Sequence, residues 1–455
     1  MGGIFFTLFA FLLAITVLIA VHEFGHFWVA KRLGVKVLRY SVGFGRPLWR
    51  RRFGVDHTEY VVAAIPLGGY VKMLDEREGP VAPEELHRAF NRQKVAKRFA
   101  IVFAGPLFNF LFAIIAYWAV FVVGVTGVKP VVGEVVPDSL AAEAGLRAGQ
   151  HILAVDGVAT PIWDVALQAM LPKLLDREPL TLEVAESDVG PRQRLVMDLS
   201  RTPFDFEPTD LLLTLGLKPW RPPIDAVVGT VHADTPAQRA GVQEGDRILA
   251  VDGQSIDDWQ QLVDSVQSGS GDPLQLRIER DSERVELHVT PEPVSADGQT
   301  RFRIGISPQS YSPVPEHMKA KYSYPLLPAF AQGLGKTWDM SALTLKMIGK
   351  IITGQASVKN LSGPIAIASY AGHSASAGLP RFLEFLAIVS VSLGILNLLP
   401  IPILDGGHLM YYIVEIVKGS PVSDDVEAAG QRIGIVMLVL LMGLAFYNDL
   451  ARLFG

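Results

Sequence analysis

The chain has 455 residues, no cysteine and a formal net charge of −5. The missing thiols exclude a disulfide framework and any thiolate metal site, and the charge gives no reason to expect nucleic acid as a partner. Its hydrophobic fraction of 49% is ordinary for a globular protein, but apolar runs crowd both ends and a mixed-polarity middle dilutes them.

The first predicted element is a membrane span from Ile4 to about His26. A helix needs ~20 residues to cross the hydrocarbon core. The run has no basic leader and no small-residue cleavage site, so it reads as a retained span rather than a signal peptide. It ends in His22, Glu23 and His26, an H-E-x-x-H motif. On a helix, positions i and i+4 share a face, so both imidazoles can reach one zinc ion. Glu23 follows the first ligand and can face a water activated by the metal. A chance motif is the alternative. Ionisable groups beside a span are costly and usually mark function, which favours the metal.

Residues 31–98 are rich in basic side chains, among them Lys31, Arg32, Arg50, Arg51 and Arg52. Such residues near membrane ends mark the cytoplasmic side. Within this loop, Val42 to Met73 reads as strands and turns broken by glycines. It is either a cytoplasmic loop sheet or a sheet dipping to the site, with an edge strand that pairs with substrate. A second span, Ala100 to Val125 within residues 99–125, returns outward. Its Asn109 reads by default as an interhelical hydrogen bond, and Gly105-Pro106 as a kink or close approach. The N-terminus is then outside, as is the stretch from about 126 to 378.

That outer stretch contains a repeat. "VVGEVVPDSLAAEAGLRAGQHILAVDG" from Val131 matches "VVGTVHADTPAQRAGVQEGDRILAVDG" from Val227 without gaps. The copies, 126–221 and 222–312, resemble PDZ domains of the bacterial envelope type. In that family a glycine-bearing strand, here near Gly216 or Gly305, lies beside a groove that captures extended peptide. Peptide capture and a role as spacer or cover both stay open. Residues 313–378 follow as amphipathic helices suited to the outer membrane surface.

The third span, Phe382 to Pro400, runs inward and continues through "NLLPIPILDGGHLMYY", giving a helical unit over 379–412. A fourth, around Ile433 to Tyr447 within 427–450, runs out. A catalytic zinc site keeps three protein ligands. Asp405 is the favoured third ligand and His408 its rival. The first and third spans both run inward, so both motifs fall at similar depth.

His22-Glu23-Phe24-Gly25-His26, Leu404-Asp405-Gly406, "FAGPLFN" from Phe103, "IPLGGYVKM" from Ile65 and "NLSGPIAI" from Asn360 together resemble the site-2 protease family of intramembrane zinc metalloproteases. The resemblance runs end to end. It implies a multi-pass α-helical membrane protein with four transmembrane helices, a membrane-reentrant β-element and two inserted α+β PDZ domains. It implies Zn²⁺ on His22, His26 and Asp405, with Glu23 as catalytic base. Asn397, Pro400 and Pro402 would hold the substrate backbone, as would the strand carrying Gly68, Gly69 and Tyr70. The implied substrates are single-span membrane proteins already trimmed outside, such as an anti-sigma factor in envelope-stress signalling and remnant signal peptides. The implied setting is a bacterial inner membrane, PDZ domains periplasmic and active site toward the cytoplasm, with membrane lipid and PDZ peptide ligands as further partners. A membrane-anchored PDZ scaffold with a vestigial metal site is the alternative. Such a site should have lost Glu23 or a ligand, and all are present.

Overall fold

The computed structural model describes residues 2–202, 211–268, 271–296, 299–309, 314–358 and 361–454. Asn360 of the "NLSGPIAI" motif and the boundary at 312–313 lie outside the described residues. Among them, four helices are long and apolar enough to cross a membrane: Gly3–Arg32, Val95–Val123, Leu379–Leu398 and Asp425–Arg452.

Helix α1 spans Gly2–Arg32 and α2 spans Val95–Val123. A curled β-element joins them, formed by β1 (Val37–Phe53) and β2 (Thr58–Met73). Each long strand bends and pairs twice, so Tyr40 faces both Val71 and Tyr60. The result is four short ribbons in the order 47–53, 58–63, 37–42, 69–73. Glycine permits the bends: Gly43, Gly45 and Gly68 have φ of 91°, 88° and 124°, values that side chains resist.

After α2 the chain leaves through β3 (Val125–Val128). The first α+β unit contains β4 (Val132–Val135), α3 (Leu140–Glu143), β5 (His151–Val155), β6 (Val158–Ala159), α4 (Trp163–Asp176), β7 (Leu180–Ala185), β8 (Gln193–Met197), α5 (Leu211–Leu215) and β9 (Leu217–Pro219). The second contains β10 (Val228–Val231), α6 (Pro236–Arg239), β11 (Arg247–Val251), β12 (Gln254–Ser255), α7 (Trp259–Ser268), β13 (Leu274–Arg280), β14 (Glu283–Val289), β15 (Glu292–Ala296), β16 (Gln299–Arg303) and β17 (Ile306–Pro308). The sheets have the same order, β6-β5-β7-β8 and β12-β11-β13-β14, and each unit adds a pair, β4-β9 or β10-β17. Gly216 and Gly305 occupy equivalent left-handed positions, at φ 77° and 83°. A side chain at either would strike the residue before the short helix, Ser139 or Thr235. Each unit has its own apolar core, around Met170 and Leu182 or around Leu276 and Ile278.

The chain returns through β18 (Lys319–Tyr322), which pairs with β3, so both connections run through one two-stranded stalk. Helix α8 (Leu326–Ile352) follows and packs on α2, where Gly333 meets the backbone of Ile114 and Trp118. Its Lys346 pairs with Asp176 of α4, tying the first α+β unit to the helical body. Helices α9 (Pro364–Ser376), α10 (Leu379–Leu398), α11 (Asp405–Lys418) and α12 (Asp424–Phe454) complete the fold. Tyr117, Ala113, Val391 and Ile395 form the apolar seam between α2 and α10. The outer face of α12 stays bare, with Val439 64% and Leu440 68% exposed, as a lipid-facing helix requires.

Two expectations change. The helical unit expected over 379–412 is broken: α10 stops at Leu398 and α11 starts at Asp405. Pro400 and Pro402 lack the N–H groups needed to carry a helix through. The last helix is also longer than its apolar run, because the polar segment before Ile433 is rich in good helix formers.

Candidate metal centre

The site begins as two facing stripes of period four. On α1 the stripe is His22 and His26; on α2 it is Ile101, Gly105 and Asn109. Gly105 lies against both imidazoles, and any side chain there would overlap His26 Nε2. Gly25 makes the reciprocal close approach, to the Ala104 carbonyl. These two glycines let the helices come near enough for α2 to bond the histidines.

It bonds both. The Nδ1–H of His26 donates to the Ile101 carbonyl at 2.9 Å. The Asn109 amide nitrogen is 3.0 Å from His22 Nδ1, while its Oδ1 is buried without a partner. Amide nitrogen and oxygen have the same shape. Exchanging them gives Nδ1–H an acceptor and the oxygen a donor. Both Nε2 atoms then carry free lone pairs.

Those lone pairs converge. His22 Nε2 and His26 Nε2 are 3.3 Å apart, and Asp405 Oδ2 is 3.1 Å from the first and 3.5 Å from the second. Oδ2 is buried and has no aligned hydrogen bond despite these short distances. Two ligands ~2.0–2.1 Å from a tetrahedral zinc are about 3.3 Å from each other. The triangle of donors therefore has the edge length zinc requires, and the chemistry of the set, two imidazoles and a carboxylate, suits it.

Asp405 arrives from the break after α10. Leu399–Leu404 crosses beneath α12 in non-helical form, with Ile403 at a φ of 106°, an outlier for a β-branched residue. Gly406 and Gly407 fit under this segment, against the backbone of Leu398–Leu399 and of Ile401. Arg98 of α2 bonds Glu415 at 2.5 Å and lies 5.0 Å from the Tyr412 ring centre, fastening α11 to α2.

A cavity of about 440 Å³ opens beside the triangle, lined by His22, Glu23, His26, Gly69, Tyr70 and Asp405 among others. Gly69 stands against Glu23 Cγ, so only a hydrogen fits there. The ribbon 69–73 pairs on one side with 37–42, and its other edge borders the cavity. Tyr70 accepts a 2.8 Å bond from Arg39 and stacks on Phe44. Gly68 forms the bend just before this ribbon.

The remaining sequence candidates lie around this centre. His408 lines the cavity, but its Nδ1 is 3.9 Å from Glu427 of α12 and outside the donor triangle. Asn397 lies at the end of α10 half-buried, outside the cavity lining, and its side chain makes no hydrogen bond among the described residues. Pro400 is exposed, and Pro402 packs under Gly430 and Gly434 of α12. The residue underread from sequence is Asn109. Its spacing from Gly105 and Ile101, four and eight residues, matches the His22–His26 spacing, and that stripe was the available signal.

A helical body that buries an H-E-x-x-H motif with a converging carboxylate defines a membrane-embedded metal-dependent hydrolase. The comparisons name the family. The model of peptidase family M50 matches residues 10–441. The regulator of sigma-E protease RseP of Salmonella typhimurium is 48% identical over 455 residues, covering 100% of both chains. The protein of that name from Escherichia coli K12 is 47% identical over 444 residues, 98% of each. Protease RseP of Yersinia pestis is 47% identical over 457 residues, 100% of each. Among solved structures, the PDZ domain of an SdrC-like protein from Listeria innocua is similar at 26% identity, with a TM-score of 0.17, covering 19% of this chain and 97% of that one. The chain belongs to peptidase family M50 and is a site-2-type zinc metalloprotease.

Proposed function

We propose that this chain cleaves transmembrane segments of single-span membrane proteins, with Zn²⁺ held by His22, His26 and Asp405 and Glu23 as general base. The observation that carries the reading is the donor triangle beside Glu23, at the end of a membrane span. Zinc bound there would supply Lewis acidity, lowering a water's pKa to about 7 and polarising a carbonyl. The Glu23 carboxylate would accept the attacking water's proton and pass it to the departing amide nitrogen. Asn109 and the Ile101 carbonyl keep the imidazoles oriented.

A transmembrane helix satisfies its own backbone, so the substrate must be unwound locally before attack. The free edge of ribbon 69–73 offers unwound substrate a strand to pair with, and the room left by Gly69 brings that strand close to Glu23. Asn397, with its unused amide, and the segment of Pro400 and Pro402 are proposed as further backbone contacts. The basic loop 31–98 supports a catalytic side facing the cytoplasm, with both α+β units, read as PDZ domains, in the periplasm of a bacterial inner membrane. The names of the relatives concern regulation of sigma-E, which supports an anti-sigma factor as one substrate; remnant signal peptides are a second. The PDZ pair stands over the outer mouth and excludes bulky outer domains.

Glu23→Gln tests the reading. The variant should keep zinc and lose cleavage of a model single-span substrate in detergent. Turnover near the wild-type rate would remove Glu23 from the chemistry.

A further inference from the structure

The ribbon farthest from the metal centre, Pro47–Phe53, has no part in the reading above. Every residue from Phe44 to Val55 is exposed, with Leu48 at 73%, Trp49 at 48% and Val55 at 97%. Strand alternation puts Trp49, Arg51 and Phe53 on one face and Leu48, Arg50 and Arg52 on the other. The Arg51 guanidinium lies 5.2 Å from the Phe53 ring centre. Arg52 is 3.8 Å from Glu59, whose other oxygen already takes a 2.6 Å bond from Arg39. Asp56, the acid in the adjoining turn, is engaged by Arg88. The side chains of Arg46 and Arg50 make no ion pair or hydrogen bond among the described residues. The ribbon therefore carries an excess of positive charge.

Its depth is fixed by α1. Arg51 stands opposite Tyr60, whose ring is 5.6 Å from that of Phe27, and the turn at Gly54 approaches Lys31. The three arginines are thus level with Phe27–Arg32, where α1 leaves its apolar run. From there the ribbon runs toward the bend through Trp49, Leu48 and Arg46 to Phe44, away from that polar end. Apart from Arg46, whose long side chain can reach back to the polar layer, the order is arginine, then tryptophan, then aliphatic and phenyl groups, the order that a membrane interface imposes with depth. Charge alone would guard a strand edge against pairing. Bare Leu48, Trp49 and Phe53 beside it call for an apolar phase as well.

We propose that the Arg50–Arg52 edge is a docking surface for anionic phospholipid headgroups. Guanidinium groups bind phosphate through paired N–H donors, and the neighbouring aromatic residues enter the acyl boundary. The inference rests on the membrane placement of α1 and not on the protease reading.

The test uses the full chain in phosphatidylcholine vesicles in which a fixed minor fraction is brominated phosphatidylglycerol or brominated phosphatidylcholine. Bromine quenches nearby tryptophan, and subtracting the Trp49→Phe variant isolates the Trp49 signal. One arginine near a charged surface contributes roughly fivefold enrichment, so brominated phosphatidylglycerol should quench Trp49 as though enriched at least that much. The preference should shrink with added salt, vanish in R50Q/R51Q/R52Q and persist in R50K/R51K/R52K. Equal quenching by the two lipids overturns the proposal, as does a preference that survives the glutamine substitutions. If the glutamine variant fails to insert, a wild-type preference indifferent to salt overturns it. No quenching by either lipid, in protein that retains its zinc, also overturns it and leaves a protein partner for this edge.

Discussion

Replacing Asn109 by leucine separates two accounts of a buried amide. In one, Asn109 is an interhelical hydrogen bond and nothing more; in the other it holds the His22 ring for the metal. Asn109 is fully buried, and its side chain reaches His22 Nδ1 at 3.0 Å. Leucine has the same branched side-chain skeleton of four heavy atoms but neither donor nor acceptor, so it can occupy the same space between the helices while Nδ1 loses its partner. Loss of a ligand's outer hydrogen bond typically weakens metal binding roughly 10- to 100-fold, or about 1.4–2.8 kcal/mol. A purely interhelical bond would instead cost about 0.6 kcal/mol of stability and leave zinc affinity unchanged. The assay is zinc competition against a chromophoric chelator, with thermal unfolding measured in parallel. Asn109→Asp should retain zinc, because a carboxylate accepts from Nδ1–H as well as an amide oxygen does. The Ser390 hydroxyl bonds the Asn109 backbone carbonyl at 2.9 Å and is untouched in either variant. If Asn109→Leu binds zinc with wild-type affinity, Asn109 does not position His22.

Asp405→Ala should weaken zinc binding by more than roughly 100-fold, since a direct ligand matters more than its outer partner, whereas His408→Ala should spare it. The opposite pattern in metal analysis would transfer the third ligand to His408. Deleting residues 131–306 and joining the ends of the paired stalk should allow cleavage of substrates with untrimmed outer domains, while trimmed ones are still cut. A zinc-loaded deletion variant that cuts trimmed substrate and still refuses the untrimmed form would reject exclusion by the two α+β units. Asp56, in the turn between β1 and β2, has its pKa lowered by the hydrogen bond from Arg88. A lowered carboxylate pKa stabilises above the unfolded value and ceases to do so as pH falls through the folded value. Asp56→Asn should therefore cost about 1–2 kcal/mol near neutral pH and nothing at pH values below the folded pKa; equal loss at both would refute the ion pair.

The parts of this protein that were legible in its sequence are those that one local stretch encodes. His22 and His26 declare a shared helix face through their spacing alone, and the duplicated segment at Val131 and Val227 declares two similar units. Hydropathy places four spans, although Pro400 and Pro402 had to be weighed against the apolar pattern to see that α10 ends before Asp405. What stayed hidden depends on how separate elements settle against each other. The double pairing of β1 with β2 follows from bends at Gly43 and Gly68, and no alternation within either strand foretells it. Nor does the sequence say that Ile403 is held at positive φ, since only the packing of Leu399–Leu404 beneath α12 over-determines that conformation.

The same distinction explains why α2 matters most among the helices at the centre, though it supplies none of the three proposed ligands. His22 and His26 sit on one rigid helix, but each imidazole can still rotate, and Asp405 belongs to a segment 379 positions from His26 along the chain. Something must fix the rings and bring α11 to them. Ile101 and Asn109 do the first through the two Nδ1 atoms, and Gly105 admits both rings to the helix surface. Arg98, one turn earlier on α2, does the second by bonding Glu415 on α11. A shift of α2 along its axis by one residue, ~1.5 Å, would uncouple all these contacts together. The register of α2 against α1 is thus the variable on which the donor triangle depends, and the close approach of Gly25 to the Ala104 carbonyl is what locks it.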